Sequence, residues 1–329
     1  MINNGKFIIS LDFELAWGVL GVEDMNVYHE NIRAVQKVIP GLLKLFRSYH
    51  IHATFATVGF LLFKNKKELL ENIPALQPHY HRSPLTQYGA YMNGIADTDK
   101  DDTLHFAPQL VEMIKADPGQ EIGSHTFSHY YCLEEGQVIE MFEADLHAAQ
   151  KAATKYGITL QSMVFPKNQY NEDYIKACTS YGIKVYRGNP LTGFHRLRSM
   201  KDENYTRKAL RFADAYINLS GHNCYTDEFI NQSYPYNIPA SRFLRPFKKS
   251  LQFLDWLKLQ RIKSGMLHAA RNRKTYHLWW HPHNFGSHSK ENFNFLEKIL
   301  AYYRLLELKY GFKSYSMIEL VNEFEKLKA

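Results

Sequence analysis

Glu121-Ile-Gly-Ser-His-Thr-Phe-Ser-His129 is the stretch on which the fold and chemistry of this 329-residue chain turn. It opens as a strand after the turn at Pro118-Gly119 and then presents two histidines four residues apart. A helical turn after Ser124 would put His125 and His129 on one face, where both imidazoles reach a single ion. Taken alone, the same spacing also describes two surface histidines on a helix. The rest of the chain separates the two readings.

Upstream, Lys6–Leu11 (KFIISL) is a β-rich apolar run that ends at Asp12-Phe13-Glu14, and His52–Val58 (HATFATV) is a second strand. Between them Ile32, Val35, Val38, Ile39, Leu42, Leu43 and Phe46 recur at helical spacing, with Pro40 expected to kink or restart the helix. Residues 77–104 are polar and aperiodic, which predicts a lid-like segment. Phe106–Ile114 is helical. Downstream, Tyr156-Gly157, Tyr181-Gly182 and Tyr310-Gly311 each close a predicted helix before a β-rich run. Glycine just past a helix end takes the left-handed conformation without steric cost, so this punctuation reads helix, glycine, strand. The strands it announces are Ser162–Pro166, Lys184–Arg187, Tyr276–His281 and Lys313–Met317, the rhythm of a parallel sheet. Residues 190–240 are the least regular part and are read as an insertion within a single domain spanning 1–329.

Polar residues gather where these strands end: Asp12 and Glu14 on the first, His125 on the third, Lys167 and Asn168 on the fourth, Arg187 on the fifth, His281 and His283 on the sixth. In parallel β/α barrels the C-terminal strand ends share one rim, and chemistry is built there. Carboxylates, imidazoles and cations on one rim are a metal-hydrolase inventory.

Composition narrows the setting. The net charge is +7, yet residues 242–274 hold ten Lys/Arg against one acid, Asp255, so that segment carries +9 and the remainder −2. The basicity is local and suggests an anionic partner at one place, not a nucleic-acid-binding protein. Three cysteines without paired spacing read as free thiols of a reducing compartment. No basic-then-apolar leader and no long apolar span is visible, which predicts a cytoplasmic protein.

In the order of its motifs the chain resembles the polysaccharide deacetylases with a NodB-homology domain, carbohydrate esterase family 4. Ser10-Leu-Asp-Phe-Glu14 resembles the family's first motif in an Asp-x-Glu variant, and Ala53-Thr-Phe-Ala-Thr57 its second strand. Ser124-His-Thr-Phe-Ser-His129 is similar to its metal motif, Val164-Phe-Pro-Lys-Asn168 to its substrate-groove and arginine motif, and Leu278-Trp-Trp-His-Pro282 to its late histidine motif. The resemblance implies a distorted, incomplete parallel β/α barrel, NodB-like, with a long insertion. It implies one divalent ion held by Glu14, His125 and His129, with Asp12 as base; an exchange of roles between Asp12 and Glu14 stays open. Two departures stand out: Phe13 replaces the usual second aspartate, and the motif's arginine is absent, leaving Lys167 as the nearest cation in sequence.

A carboxylate with two imidazoles leaves a coordination position for water and suits Zn²⁺, with Co²⁺, Ni²⁺ or Mn²⁺ also fitting. Asp12 would take a proton, His281 would protonate the departing amine, and Lys167 would serve as the catalytic cation. Phe165, Asn168, Arg187 and Trp280 are expected on the substrate side, with Trp279 in the core. For Arg187 a structural salt bridge is the equal alternative. His283 would either orient His281 or face solvent. The expected substrate is an N-acetylated sugar or polysaccharide precursor, nucleotide- or lipid-linked, deacetylated by a zinc-type hydrolase. A catalytically degenerate carbohydrate-binding or assembly module, and hydrolysis of a formamide or cyclic amide, are the competing readings. For residues 242–274 two readings also stand: an amphipathic helix on an anionic membrane, or an outer barrel helix with a solvated basic face. Oligomeric state is not legible.

Overall fold

The apolar run at the N-terminus forms the central strand β1 (Lys6–Phe13), all eight residues buried because both its faces are covered. The computed structural model describes residues 2–20, 25–81, 85–195 and 204–328. The other strands are β2 (Ala53–Thr57), β3 (Gln120–Ser124), β4 (Ser162–Met163), β5 (Val185–Tyr186), β6 (Tyr236–Asn237), β7 (Arg242–Phe243), β8 (Thr275–Trp280) and β9 (Lys313–Tyr315). They stand in the order β6-β5-β4-β3-β2-β1-β8-β7, with β9 on β1, and every pairing between them is parallel. The regular sheet thus curls from β5 round to β8. β6 and β7 are successive pieces of one segment: Tyr236 and Ile238 donate to Lys184 and Tyr186, whereas Ser241 and Leu244 donate to His277 and Trp279. That short irregular bridge leaves a distorted, incomplete β/α barrel.

The helices are α1 (Met25–Arg33), α2 (Val35–Tyr49), α3 (Lys66–Glu71), α4 (Ala90–Asn93), α5 (Pro108–Ala116), α6 (Ile139–Thr154), α7 (Glu172–Ser180), α8 (Tyr205–Asp214), α9 (Asp227–Ile230), α10 (Asp255–Arg271), α11 (Ser289–Tyr310) and α12 (Met317–Lys328). Gly157, Gly182 and Gly311 take positive φ (64°, 78° and 65°) where the sequence places helix ends. Pro40 does not restart its helix: α2 runs through it, and the break falls at Ala34. A helix-interior proline costs about 3 kcal/mol. Six buried apolar side chains of α2, from Val35 to Phe46, are each worth about 1.5–3 kcal/mol and outweigh it.

Alternation along β1 sets up two apolar clusters. Phe7, Ile9, Leu11 and Phe13 point to the helix side, with Phe46, Phe55 and Trp280. Ile8 points into the barrel with Ala56, Val164, Val185 and Ile238, above Leu320, Val321 and Phe324 of α12. Apolar contacts therefore fill the lower barrel, and the polar residues of the same inner face come at the top.

Two segments differ from expectation. The stretch 77–104, of which 82–84 lie outside the described residues, packs behind the histidine loop: Gln87 Nε2 donates to the His129 carbonyl at 3.2 Å, and the Tyr80 hydroxyl accepts from Tyr131 N at 2.8 Å. Leu85, Met92 and Ile95 are buried, so aperiodic sequence here marks an irregular packed segment. The stretch 190–240, with 196–203 outside the described residues, contains β6 at its end and so belongs in part to the barrel.

Candidate active-site cleft and metal centre

Strand parity puts Ser10, Asp12 and, one residue past the strand, Glu14 on the inner face at the barrel's top; Phe13 between the carboxylates faces the helices. Both carboxylates are nearly inaccessible, at 3% and 4% exposure. The turn Leu15–Val19 closes over Glu14. A Cβ on Gly18 would lie 1.9 Å from the Glu14 carboxyl carbon, so any side chain there would displace that carboxylate.

The histidine pair is brought together by a loop, not by a helix. Thr126 and His129 have φ of 63° and 61°, incompatible with the helical turn expected from the spacing. The loop is pinned by Asp145 of α6, whose carboxylate accepts from the amides of Phe127 (2.6 Å) and Ser128 (3.1 Å) and from the Ser128 hydroxyl. Burial nevertheless pushes the Asp145 pKa up to about 6. Gly59 and Phe60 N–H groups bond the carbonyls of Thr126 and Phe127 at 2.9 and 3.0 Å. So held, His125 Nε2 lies 3.3 Å and His129 Nε2 3.1 Å from the same oxygen, Glu14 Oε2.

These donors fit a divalent cation. His125 Nδ1 stands 2.7 Å from the Val164 carbonyl, which can only accept, so in the neutral ring that nitrogen carries the proton. The bare Nε2 then faces a carboxylate oxygen, two lone pairs in contact unless a cation lies between them. Donors about 2.0–2.1 Å from a tetrahedral ion stand roughly 3.3 Å from one another, close to the separations found. Burial pushes the His129 pKa down to about 4, keeping that ring neutral as a ligand must be. Burial alone would raise Glu14; His281, His125 and His129 outweigh it and hold the carboxyl well below the usual range. Glu14, His125 and His129 form the one group of this kind among the described residues.

Asp12 has a different partner. Arg187, at the end of β5 and fully buried, forks onto it with Nη1–Oδ1 at 2.6 Å and Nη2–Oδ2 at 2.8 Å. Its Nη2 also reaches Asn168 Oδ1 at 2.8 Å, Nη1 reaches Ser10 Oγ at 3.0 Å, and the guanidinium lies 4.1 Å from the Trp279 ring. Burial would raise Asp12, but Arg187 overrides it and the net shift is downward. The arginine absent from the Val164–Asn168 motif is thus supplied one strand later. Arg187 meets Asp12, on the salt-bridge side of the two readings, and Asn168 orients it.

His281, just past β8, has Nε2 at 3.5 Å from Glu14 Oε1 and 3.8 Å from Asp12 Oδ2, and remains 23% exposed at the side chain. His283 is buried and stacks on it, ring centroids 5.0 Å apart, so it does not face solvent. Three expectations are corrected by parity and packing. Trp280 is buried against Phe46 and Phe285, while Trp279, sharing the inner face with His281, lines the cleft; the two tryptophans exchange places. Phe165 sits among Phe142, Tyr170 and Tyr186 in the core. Lys167 lines the cleft with φ of 52°, but its Nζ donates to the Gly18 carbonyl at 3.2 Å instead of meeting Asp12.

Above the carboxylates opens a cleft of about 360 Å³, in the range of small-molecule sites. Its lining includes Asp12, Glu14, His129, His281 and Trp279, together with Asn189, Pro190, His195, Arg211, Arg242 and Arg245. Residues 77–104 contribute nothing to this lining among the described residues.

A search of curated protein sequences finds no match. Among solved structures, a Mycobacterium smegmatis protein assigned to the polysaccharide deacetylases superposes with a TM-score of 0.59 at 10% identity, covering 100% of this chain and 93% of that one. One from Pseudomonas aeruginosa PAO1, similarly assigned, superposes at 0.50 with 12% identity, covering 91% and 84%. These likenesses are of fold. The family model described as polysaccharide deacetylase matches residues 22–186, a range that includes the histidine pair and its loop. With half of its sequence accounted for by that model, this chain belongs to the polysaccharide deacetylase family.

Proposed function

We propose that the chain is a metal-dependent hydrolase that removes the N-acetyl group from a sugar in the metabolism of surface-polysaccharide precursors, in the cytoplasm. One observation carries the reading: two imidazole nitrogens and Glu14 converge on one point beside an Arg187-held Asp12 and the half-open His281. Glu14, His125 and His129 would hold the ion, for which Zn²⁺ is the best match. When bound, such an ion polarises the amide carbonyl and acidifies water. Asp12, kept ionised by Arg187, accepts the proton of the attacking water. His281 delivers a proton to the departing amine from its partly exposed Nε2. Trp279 closes the side of the cleft and leaves the opposite wall to the substrate. The case for a degenerate binding module rests on Phe13 and on a missing arginine, and Arg187 answers the second by meeting Asp12 as such an arginine would. Metal analysis of the purified chain is expected to give about one ion per chain, lost in His129→Ala, with acetate released from an N-acetylated sugar. A chain carrying no ion and releasing no acetate would sink the proposal.

Peripheral membrane contact belongs to the same proposal. In α10, Ile262, Met266 and Ala269 pack into the core, as an outer barrel helix does. Phe253 and Trp256, in contrast, stand 74% and 66% exposed next to the exposed Lys248 and Lys249. No helix among the described residues is long and apolar enough to cross a membrane. An aromatic pair flanked by lysines suits an anionic lipid surface, each basic residue adding about 1 kcal/mol. Co-sedimentation with anionic vesicles at low salt should fall for Phe253→Ser/Trp256→Ser; equal sedimentation of both proteins removes the idea.

A further inference from the structure

His277 is a fully buried imidazole that the chemistry above does not use. On β8 it stands in register with Ile8 of β1, as Trp279 does with Ser10, so it points into the barrel one step below the cleft residue Trp279. The lower barrel it enters is apolar, with Ile8, Val164, Val185 and Ile238. An aliphatic side chain would pack there, whereas a buried imidazole is costly unless both its nitrogens find partners. Both do. Nδ1 lies 3.1 Å from the Ile238 carbonyl, which can only accept, so in the neutral ring Nδ1 carries the proton and Nε2 is bare. Nε2 lies 2.8 Å from Ser10 Oγ, so the hydroxyl donates to the ring and keeps its lone pairs for another donor. That donor is Arg187 Nη1, at 3.0 Å from Ser10 Oγ and 2.6 Å from Asp12 Oδ1. Burial, with the charge of Arg187 adding to it, pushes the His277 pKa down to about 3, so the ring stays neutral.

We propose that His277 is a positioning residue for the reaction: through the Ser10 hydroxyl it holds the Arg187 fork against Asp12. Arg187 places one proton of each Nη on Asp12, at 2.6 and 2.8 Å. The second Nη2 proton goes to Asn168 Oδ1 at 2.8 Å and the second Nη1 proton to Ser10 Oγ. Its Nε is buried without a partner, and Trp279 covers the guanidinium at 4.1 Å, a flat contact that leaves sliding in the plane free. The two flanking acceptors, Asn168 and Ser10, therefore fix the fork in its plane. A serine hydroxyl is a rotor that can donate or accept, and one turned toward Arg187 would set two protons against each other. His277 removes that choice by taking the hydroxyl proton, so Ser10 always presents lone pairs to the arginine. For turnover the inference rests on the deacetylase reading; for the hold on Arg187 it does not.

The test compares Ser10→Ala, His277→Asn and His277→Gln in the full chain. Glutamine can set an oxygen near the place of Nε2 and accept from Ser10; asparagine reaches only the Nδ1 side and leaves the hydroxyl proton without an acceptor. The first arm is nuclear magnetic resonance of the 15N-labelled protein, with the Arg187 signals assigned by their contact to the Trp279 ring. Separate Nη signals, the mark of a guanidinium that does not rotate, are expected in the wild type and in His277→Gln, and averaged signals in Ser10→Ala and His277→Asn. The His277 ring should show the pattern of a neutral imidazole protonated at Nδ1. A ring protonated at Nε2, or Arg187 signals indifferent to Ser10→Ala, overturns the proposal. The second arm is acetate release. Ser10→Ala and His277→Asn should each lower kcat about tenfold with KM unchanged, and the double variant should be no worse than Ser10→Ala alone. His277→Gln should recover most of the loss. Equal impairment by Gln and Asn, or losses that multiply in the double variant, reduces His277 to packing and overturns its role. Should His277→Asn fail to fold, Ser10→Ala decides both arms. No acetate from the wild type, with Arg187 signals that depend on Ser10, overturns the deacetylase reading and leaves the hold on Arg187 standing.

Discussion

Asp12→Asn is expected to lower acetate release by about 10²- to 10⁴-fold, the usual cost of removing a general base, while the protein keeps its ion. Asparagine preserves the shape and still offers Arg187 one acceptor oxygen, but it cannot take a proton from water. The structure separates the two carboxylates by partner: Asp12 meets Arg187 on both oxygens, whereas Glu14 faces three imidazoles. A cation beside Asp12 opposes the approach of a second cation, so the ion is expected on the Glu14 side. The exchange of roles that sequence leaves open is therefore decidable by one measurement. Metal content determined alongside turnover should fall in Glu14→Gln and stay constant in Asp12→Asn. The reverse pattern would reassign the ligand, and full turnover by Asp12→Asn would remove it from the chemistry altogether.

Much of this site is legible in the sequence because strand parity is. Ser10, Asp12 and Glu14 lie two apart at the end of an unambiguous apolar strand, so a shared inner face follows without knowledge of the fold. The same rule applied backwards from His281 would have found Trp279 as the cleft residue, and the adjacent Trp280 as core. What parity cannot give is who stands across the barrel. Arg187 ends a strand only two residues long, and its meeting with Asp12 depends on the curl of the sheet between β5 and β1. The histidine pair is a different case. Its i, i+4 spacing suggests a helix and a common face, yet the common face is made by two positive-φ residues and by Asp145, sixteen residues beyond His129. Residues 190–240 carry the least pattern in the sequence: β6 at their end and β7 just beyond are two residues each, and their register is set by neighbours on both sides, not by any pattern of their own.

Arg187→Gln should be among the most damaging single changes in the molecule. It leaves Asp12 ionised, almost inaccessible and without its bidentate partner, and breaking a buried pair from one side typically costs about 3–5 kcal/mol. Burial acting alone would push Asp12 upward, so its proton-accepting form would be disfavoured as well, and turnover should fall together with stability. Lysine would not restore the site. Its single ammonium cannot span both Asp12 oxygens, Asn168 Oδ1 and Ser10 Oγ, nor lie flat against Trp279 as the guanidinium does at 4.1 Å. The decisive comparison is a double-mutant cycle by denaturant unfolding. Asp12→Asn removes the charge that Arg187→Gln strands, so the double variant should be more stable than Arg187→Gln alone while remaining inactive. If the two losses simply add, the pair is not coupled and Arg187 stabilises the barrel through Trp279 and Asn168 instead.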